Sequence, residues 1–240
     1  MIAAMQPPAP RVALIHATAL AVGPIQSAFE RLWREARRMN LLDDSLSVDR
    51  AAAGELTPEM TRRFIDLARY AKGTGCEGIL FTCSAFGPAI EAAGEAVGIP
   101  TLKPNEAMFE DALALAARAD AGAHEPVRLG LIATFAASIP SMSEELLALA
   151  ERRGQRIALN TVFVPEAMDD LARGHADAHH RKIAAAAAAG SRDLQACAAV
   201  MLAQFSMAQA QPQVQATLAC PVLSSPDCAV LALKKRMNHG

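Results

Sequence analysis

Cys83 stands in the segment GILFTCSAF, directly after an apolar run and ahead of a serine, a glycine and a helix-start signal. A thiol in that place can serve as a nucleophile, an acid or a base, provided it can reach the thiolate. The ordinary thiol pKa of about 8.5 falls beside a cation or a helix N-terminus. Two groups offer such a field here: the helix expected from about Pro88, and His16, which closes the first apolar run RVALIH. His16 could orient Cys83, share its proton or bind substrate, and it could equally be a satisfied buried histidine. Cys83 also has a plain reading, since unpaired cysteines are often core residues. Its place at a strand end, before a turn and a helix, makes function a reading to weigh beside the core one.

Gln204 comes next, because an internal repeat sets it opposite Cys83. RVALIHAT from Arg11 recurs as RLGLIATF from Arg128, and GILFTCSAF around Cys83 recurs as AVMLAQFSM around Gln204. Cys76 precedes Cys83 by the same interval that separates Cys197 from Gln204, and Pro100 and Pro221 keep the spacing. Racemisation takes a proton from one face of a carbon and returns one to the other, so it needs a titratable group on each side. Glutamine cannot exchange a proton usefully, but its NH2 can hold a carboxylate or amide. A site built on this pair is therefore one-sided, with Cys83 doing the proton or covalent work.

Strands alternating with helices must carry these residues. Arg11–His16 reads as a strand buried on both faces. A long helix follows from about Pro24 to Met39, then a short strand at Leu41 and Leu42 and a polar turn Asp43-Asp44-Ser45. A helix starts after Thr57-Pro58-Glu59. Gly78–Thr82 is a second buried strand, Pro88–Val97 a helix and Ile99–Leu102 a further strand, and the second half repeats the plan. The expected fold is α/β: two similar Rossmann-like lobes with parallel sheets, related by a pseudo-twofold duplication. Lobe one would take residues 11–104 plus 226–240, lobe two residues 105–225, and residues 1–10 would form a loose arm.

Ligands of open parallel sheets collect beyond the carboxyl ends of the strands. If the lobes face each other, their equivalent strand ends share a cleft. Position alone brings His16, Asp43, Asp44, Cys83 and Ser84 there from lobe one, and Thr134, Gln204, Ser206, Ser224 and Ser225 from lobe two. Asp43 and Asp44 could supply a base or a specificity group, or could belong to a solvated, helix-capping turn. The threonine and serines are neutral donors suited to a carboxylate.

Composition narrows the function. The chain has 240 residues, 52% of them hydrophobic, which is enough for a sizeable core without any run that would span a membrane. The start lacks a secretory signal, so a cytoplasmic location is expected. A net charge of -2, with arginines 31, 34, 37 and 38 interleaved with Glu30 and Glu35, reads as a solvated helix face rather than a nucleic-acid surface. Five cysteines form no CxxC pair and read as reduced thiols. His175, His179 and His180 lack an acidic or cysteine partner at regular spacing, so no metal is expected. The glycines form neither a GxGxxG nor a P-loop pattern, which argues against dinucleotide and ATP.

With these segments in view, the chain resembles the aspartate/glutamate racemase superfamily, which takes in hydantoin racemases, maleate isomerases and arylmalonate decarboxylase. The resemblance is carried by FTCSAFG around Cys83, GLIAT ending at Thr134, MLAQFSMA around Gln204 and PVLSSP ending at Pro226, and it spans roughly Arg11 to Leu233. It implies a substrate carboxylate held between two lobes and cofactor-independent chemistry at the adjoining carbon of a small acid. Family racemases place a cysteine at each of the two equivalent strand ends, and here the second is Gln204. Racemase or isomerase is the implied activity, decarboxylation of a malonate-type acid the nearest rival, and a carboxylate-binding protein without turnover the third reading. A homo-oligomer is compatible with the resemblance, although no apolar surface stripe in the sequence specifies one.

Overall fold

The computed structural model describes residues 9–119, 125–136 and 138–238. The expected loose arm lies outside them except for its last two residues. Compact packing divides the chain into one unit of Met1–Pro104 with Ala229–Gly240 and a second of Asn105–Cys228.

In the first unit, β1 (Arg11–His16), α1 (Val22–Leu32), β2 (Arg37–Leu42), α2 (Ser45–Ala53), α3 (Pro58–Gly73), β3 (Gly78–Phe81), α4 (Gly87–Val97) and β4 (Thr101–Leu102) follow one another. All pairings are parallel, and the strand order is β2-β1-β3-β4. The second unit runs through α5 (Glu106–Ala119), β5 (Val127–Ala133), α6 (Ser138–Arg152), β6 (Ile157–Phe163), α7 (Ala167–Ala172), α8 (Ala176–Ala189), α9 (Ser191–Gln195), β7 (Val200–Leu202), α10 (Gln211–Gln215) and β8 (Val222–Ser224). Its sheet is parallel too, in the matching order β6-β5-β7-β8. A last helix, α11 (Ser225–Asn238), closes the chain.

The central strands β1, β3, β5 and β7 are buried along nearly their whole length, as a sheet covered on both faces requires. Thr57 caps α3 by accepting the Met60 N–H, with Pro58 in the first turn, so that start signal is realised as expected. Gly130 in β5 has a packing role. A Cβ there would meet the side chains of Leu194 and Val200 at 2.8 Å, so any larger residue would force those two side chains to shift.

One stretch differs from its sequence reading. The helix expected to reach Met39 stops at Leu32, where Trp33 turns out of helical geometry (φ -154°, ψ 63°). Residues 37–42 instead form β2, paired in register with β1 from Arg11↔Arg37 to His16↔Leu42. Arginine, leucine and methionine favour helix locally, but the propensity difference is only tenths of a kcal/mol per residue and the ladder outweighs it. The arginines consequently do not share a helix face. Arg31 lies in the last turn of α1, Arg34 in the connection, and Arg37 and Arg38 in an edge strand.

Candidate active site

Cys83 leaves the carboxyl end of β3 still extended (φ -123°, ψ 121°), then enters a single 3-10 turn, Ser84–Phe86, that runs into α4. Aromatic packing fixes the backbone on both sides of it. Phe81 and Phe86 set their rings 5.2 and 4.7 Å from Phe64 of α3. Such pairs add about 1 kcal/mol each beyond burial, so the core helps to hold the turn. Cys83 is partly buried against this cluster, whereas the other four cysteines are fully buried. Burial pushes its thiol pKa up, with a smaller downward pull from the Ala85 backbone. The thiol is therefore protonated at neutral pH, and the expected thiolate-promoting field does not prevail.

His16 does not supply that field. It is buried, its Nδ1 lies 2.8 Å from Thr82 Oγ1, and its Nε2 lies 3.0 Å from Asn40 Oδ1. Asn40 Oδ1 can only accept, and it also takes a hydrogen bond from Gln26. Nε2 thus carries the proton and Nδ1 accepts from the Thr82 hydroxyl. Burial lowers the His16 pKa, opposed by the bond to Asn40, so the ring is neutral. Strand alternation explains why His16 and Cys83 stay apart. The register Leu14↔Asn40 and Ile15↔Phe81 puts Asn40, His16 and Thr82 on one face of the sheet, and Cys83, one residue on, projects to the other.

Asp43 donates its backbone N–H to the His16 carbonyl at 3.0 Å. Its carboxylate accepts from Ser45 Oγ at 2.7 Å and Arg63 Nη2 at 2.5 Å, and Arg63 also binds Asp49 at 2.6 Å. Burial alone would raise the Asp43 pKa, but the Ser45 and Arg63 bonds outweigh it and hold it below the usual range. Asp43 is therefore a tether between the β2 turn and α3. Asp44 is exposed and makes no side-chain cap, and Ser84 is exposed beside Cys83.

In the second unit, Gln204 occupies the end of β7 as Cys83 does that of β3. Its Oε1 accepts both the Thr134 backbone N–H at 2.9 Å and the Thr134 hydroxyl at 3.1 Å. Its Nε2 donates to Ser138 Oγ at 2.6 Å, and Ser138 Oγ donates to the Phe135 carbonyl at 2.7 Å. Gln204 so closes the β5–α6 connection on itself and keeps one amide hydrogen for any further partner. Ser206 lies part-buried in the following 3-10 turn, Phe205–Ala210. Ser224 is buried with no partner for its hydroxyl among the described residues, while Ser225 donates to Asn105 Oδ1 at 2.8 Å.

Sequence reasoning missed Thr82, Asn40, Ser138 and Asn105 as partners of predicted residues. A period-two reading of RRMNLL as a strand would have found Asn40, because it then shares a face with His16. Among the described residues no cluster of three or more His, Cys, Asp or Glu could hold a metal, and His179 is buried with Nδ1 on the Ala167 carbonyl at 2.7 Å. No described helix is long and apolar enough to cross a membrane.

A sequence model of the Asp/Glu/Hydantoin racemase family matches residues 15–233. The chain belongs to that family. Solved structures with the racemase fold align over nearly all of it. An aspartate racemase homologue from Pyrococcus horikoshii OT3 is 15% identical with a TM-score of 0.66, covering 95% of this chain and 99% of its own. Allantoin racemase from Klebsiella pneumoniae is 16% identical with a TM-score of 0.65, covering 96% and 89%. An arylmalonate decarboxylase is 16% identical with a TM-score of 0.63, covering 96% and 94%. No curated protein matches the sequence. At these identities the neighbours share the two-sheet racemase fold, and the racemase-family match spans both sheets of this chain.

Proposed function

We propose that this chain is a cofactor-independent racemase-family enzyme of the racemase or isomerase type, acting next to the carboxylate of a small organic or amino acid with the single cysteine Cys83 as acid, base or nucleophile. The observation that carries the reading is the partial exposure of Cys83 at a strand's carboxyl end while every other cysteine is buried. Ser84 beside it and the neutral donors at the second strand end, Thr134, Gln204, Ser206, Ser224 and Ser225, are the proposed carboxylate partners. The occupied hydrogen bonds of Gln204 and Ser225 favour Ser84, Ser206 and Ser224 among them. His16 and Asp43 are then supports of the strand end, and Asp44 an exposed residue of the turn, rather than reacting groups. The cytoplasm, where thiols stay reduced, suits this chemistry.

A second reading rests on the protonation state. A thiol held above its ordinary pKa is a proton donor, and Gln204 cannot take a proton from the opposite face. That combination suits decarboxylation of a malonate-type acid. The C–C bond to one carboxylate breaks with release of CO2, the electron pair passes into an enediolate, and the Cys83 S–H protonates the carbon. Water returns the proton to the thiolate.

The two readings separate in deuterated water. Aspartate, glutamate, a hydantoin and a substituted malonate are each followed by proton NMR and chiral chromatography with native protein and with Cys83→Ala. Native turnover of one of these that Cys83→Ala abolishes supports the proposal, and loss of CO2 with one deuteron gained selects decarboxylation. Turnover unchanged in Cys83→Ala overturns the role of the thiol. Tight carboxylate binding without any turnover would point to a binding protein instead.

A further inference from the structure

Of the four strand edges in the two sheets, three are blunted as exposed edges ordinarily are. β4 has two residues, β8 three, and β2 carries Arg37 and Arg38. β6 is different. It runs for seven residues, Ile-Ala-Leu-Asn-Thr-Val-Phe, without a charge or a proline, and ends on Phe163, which is 45% exposed.

The backbone groups of this edge can be assigned. Val127 donates to the Arg156 carbonyl and Val164 donates to the Ala133 carbonyl, so residues 156, 158, 160, 162 and 164 turn their amides toward β5. Strand alternation then points the N–H and C=O groups of Ile157, Leu159, Thr161 and Phe163 outward. No described residue pairs with them.

We propose that β6 pairs antiparallel with β6 of a second copy of this chain, about a twofold axis at Asn160. That axis sets Ile157 opposite Phe163 and Leu159 opposite Thr161. All four are outward residues, so each pair can exchange both of its hydrogen bonds. Apolar meets apolar at Ile157 with Phe163 and at Ala158 with Val162. Asn160 leaves the axis clear, since its amide donates to the Asp193 carbonyl within its own chain.

Charge selects the antiparallel sense and a second copy as the partner. The amino end of β6 is preceded by Arg152, Arg153 and Arg156, all exposed, and the carboxyl end is followed by Glu166, whose side chain is 77% exposed, and by Asp169 and Asp170. Lys182 binds Asp170 at 2.7 Å and reaches Glu166 at 3.6 Å, and Arg153 pairs with Glu110 at 3.1 Å, so the outward charges are Arg152 and Arg156 at one end and Asp169 with the only partly compensated Glu166 at the other. Antiparallel pairing brings the basic end of each copy to the acidic end of the other, twice over. Parallel pairing would set like ends together. An isologous contact of this kind closes on itself as a dimer and joins the two second-unit sheets into one.

Sedimentation equilibrium on the full chain tests this. The expected result is a reversible species of twice 25.3 kDa. Thr161→Pro removes an outward N–H and spares the ladder to β5, so it should return the chain to single-copy mass with unchanged circular dichroism. Arg156→Glu alone and Glu166→Arg alone should each weaken the dimer at least tenfold at low salt, and the double variant should restore it. A native chain that stays at single-copy mass to about 100 μM, or a dimer indifferent to the proline and to both charge reversals, overturns the proposal.

Discussion

The ends of β3 and β7 are equivalent by topology and opposite in construction. At β3 the residue is a thiol whose side chain makes no side-chain hydrogen bond among the described residues, and aromatic rings on either side hold the backbone around it. At β7 the residue is an amide whose oxygen and nitrogen are both used to close the adjoining loop. One end leaves its reactive atom without a side-chain partner among the described residues and packs its turn against the core. The other spends its polar atoms on rigidity. A fold that repeats its scaffold thus need not repeat its chemistry, and hydrogen bonding distinguishes the two ends more clearly than strand position does.

The sharpest way to break this contrast is to remove the thiol. Cys83→Ala should lower turnover by about 10²–10⁴-fold, the usual worth of a positioned acid or base, with little change in stability because Cys83 is only partly buried. The native pH profile should carry the same signature. A donor thiol works while protonated, so its limb should hold through neutral pH and fall only as pH rises above the ordinary thiol range. A rate that instead rises through pH 8 would mean that the thiolate is the working form.

At β7 the expected loss is of stability. Gln204→Ala strands the Thr134 N–H and its hydroxyl in a part-buried place and should cost about 1–3 kcal/mol in denaturant unfolding. A variant as stable as the native chain would show that the loop does not depend on Gln204.

Much of this contrast was legible beforehand. The repeat, both parallel sheets and the strand-end places of Cys83 and Gln204 follow from short apolar runs at nearly constant spacing, a long-period signal that local propensity does not blur. The face on which a side chain lies was harder to read. His16 and Cys83 end neighbouring strands, yet their faces depend on where each strand stops and on register, and a one-residue difference reverses the answer. Asn40 was hidden because RRMNLL consists of good helix formers whose strand state is decided by pairing with β1. The locking of Gln204 could not be foreseen, since Ser138 comes within reach only through the turn after β5.

The buried His16 network supplies a pH test on the first unit. Its ring is neutral in the folded chain and titrates at 6.5 when unfolded. As pH falls below 6.5 the unfolded chain gains a proton that the folded ring refuses, so stability is full above that value and declines down to the lowered folded pKa. His180 is shifted the same way in the second unit, by burial and then by His179, and adds to the slope. His16→Leu should flatten the acid limb of the unfolding curve, because the residue that refuses the proton in the folded chain is then gone. An unchanged slope would assign the acid sensitivity elsewhere.

The smallest test separates the two bonds that Gln204 Oε1 accepts. Thr134→Val keeps the backbone donor at 2.9 Å and deletes the hydroxyl donor at 3.1 Å, with nearly the same shape in a buried place. Gln204 then remains satisfied through the backbone, so the loss should be about 1 kcal/mol, below that of Gln204→Ala. The two changes share a partner, and combining them should cost no more than Gln204→Ala alone, because without the amide the hydroxyl has nothing left to lose. Additive losses in that double variant would mean that Thr134 holds the loop by a contact other than Gln204, and the lock at β7 would then be a property of the loop itself.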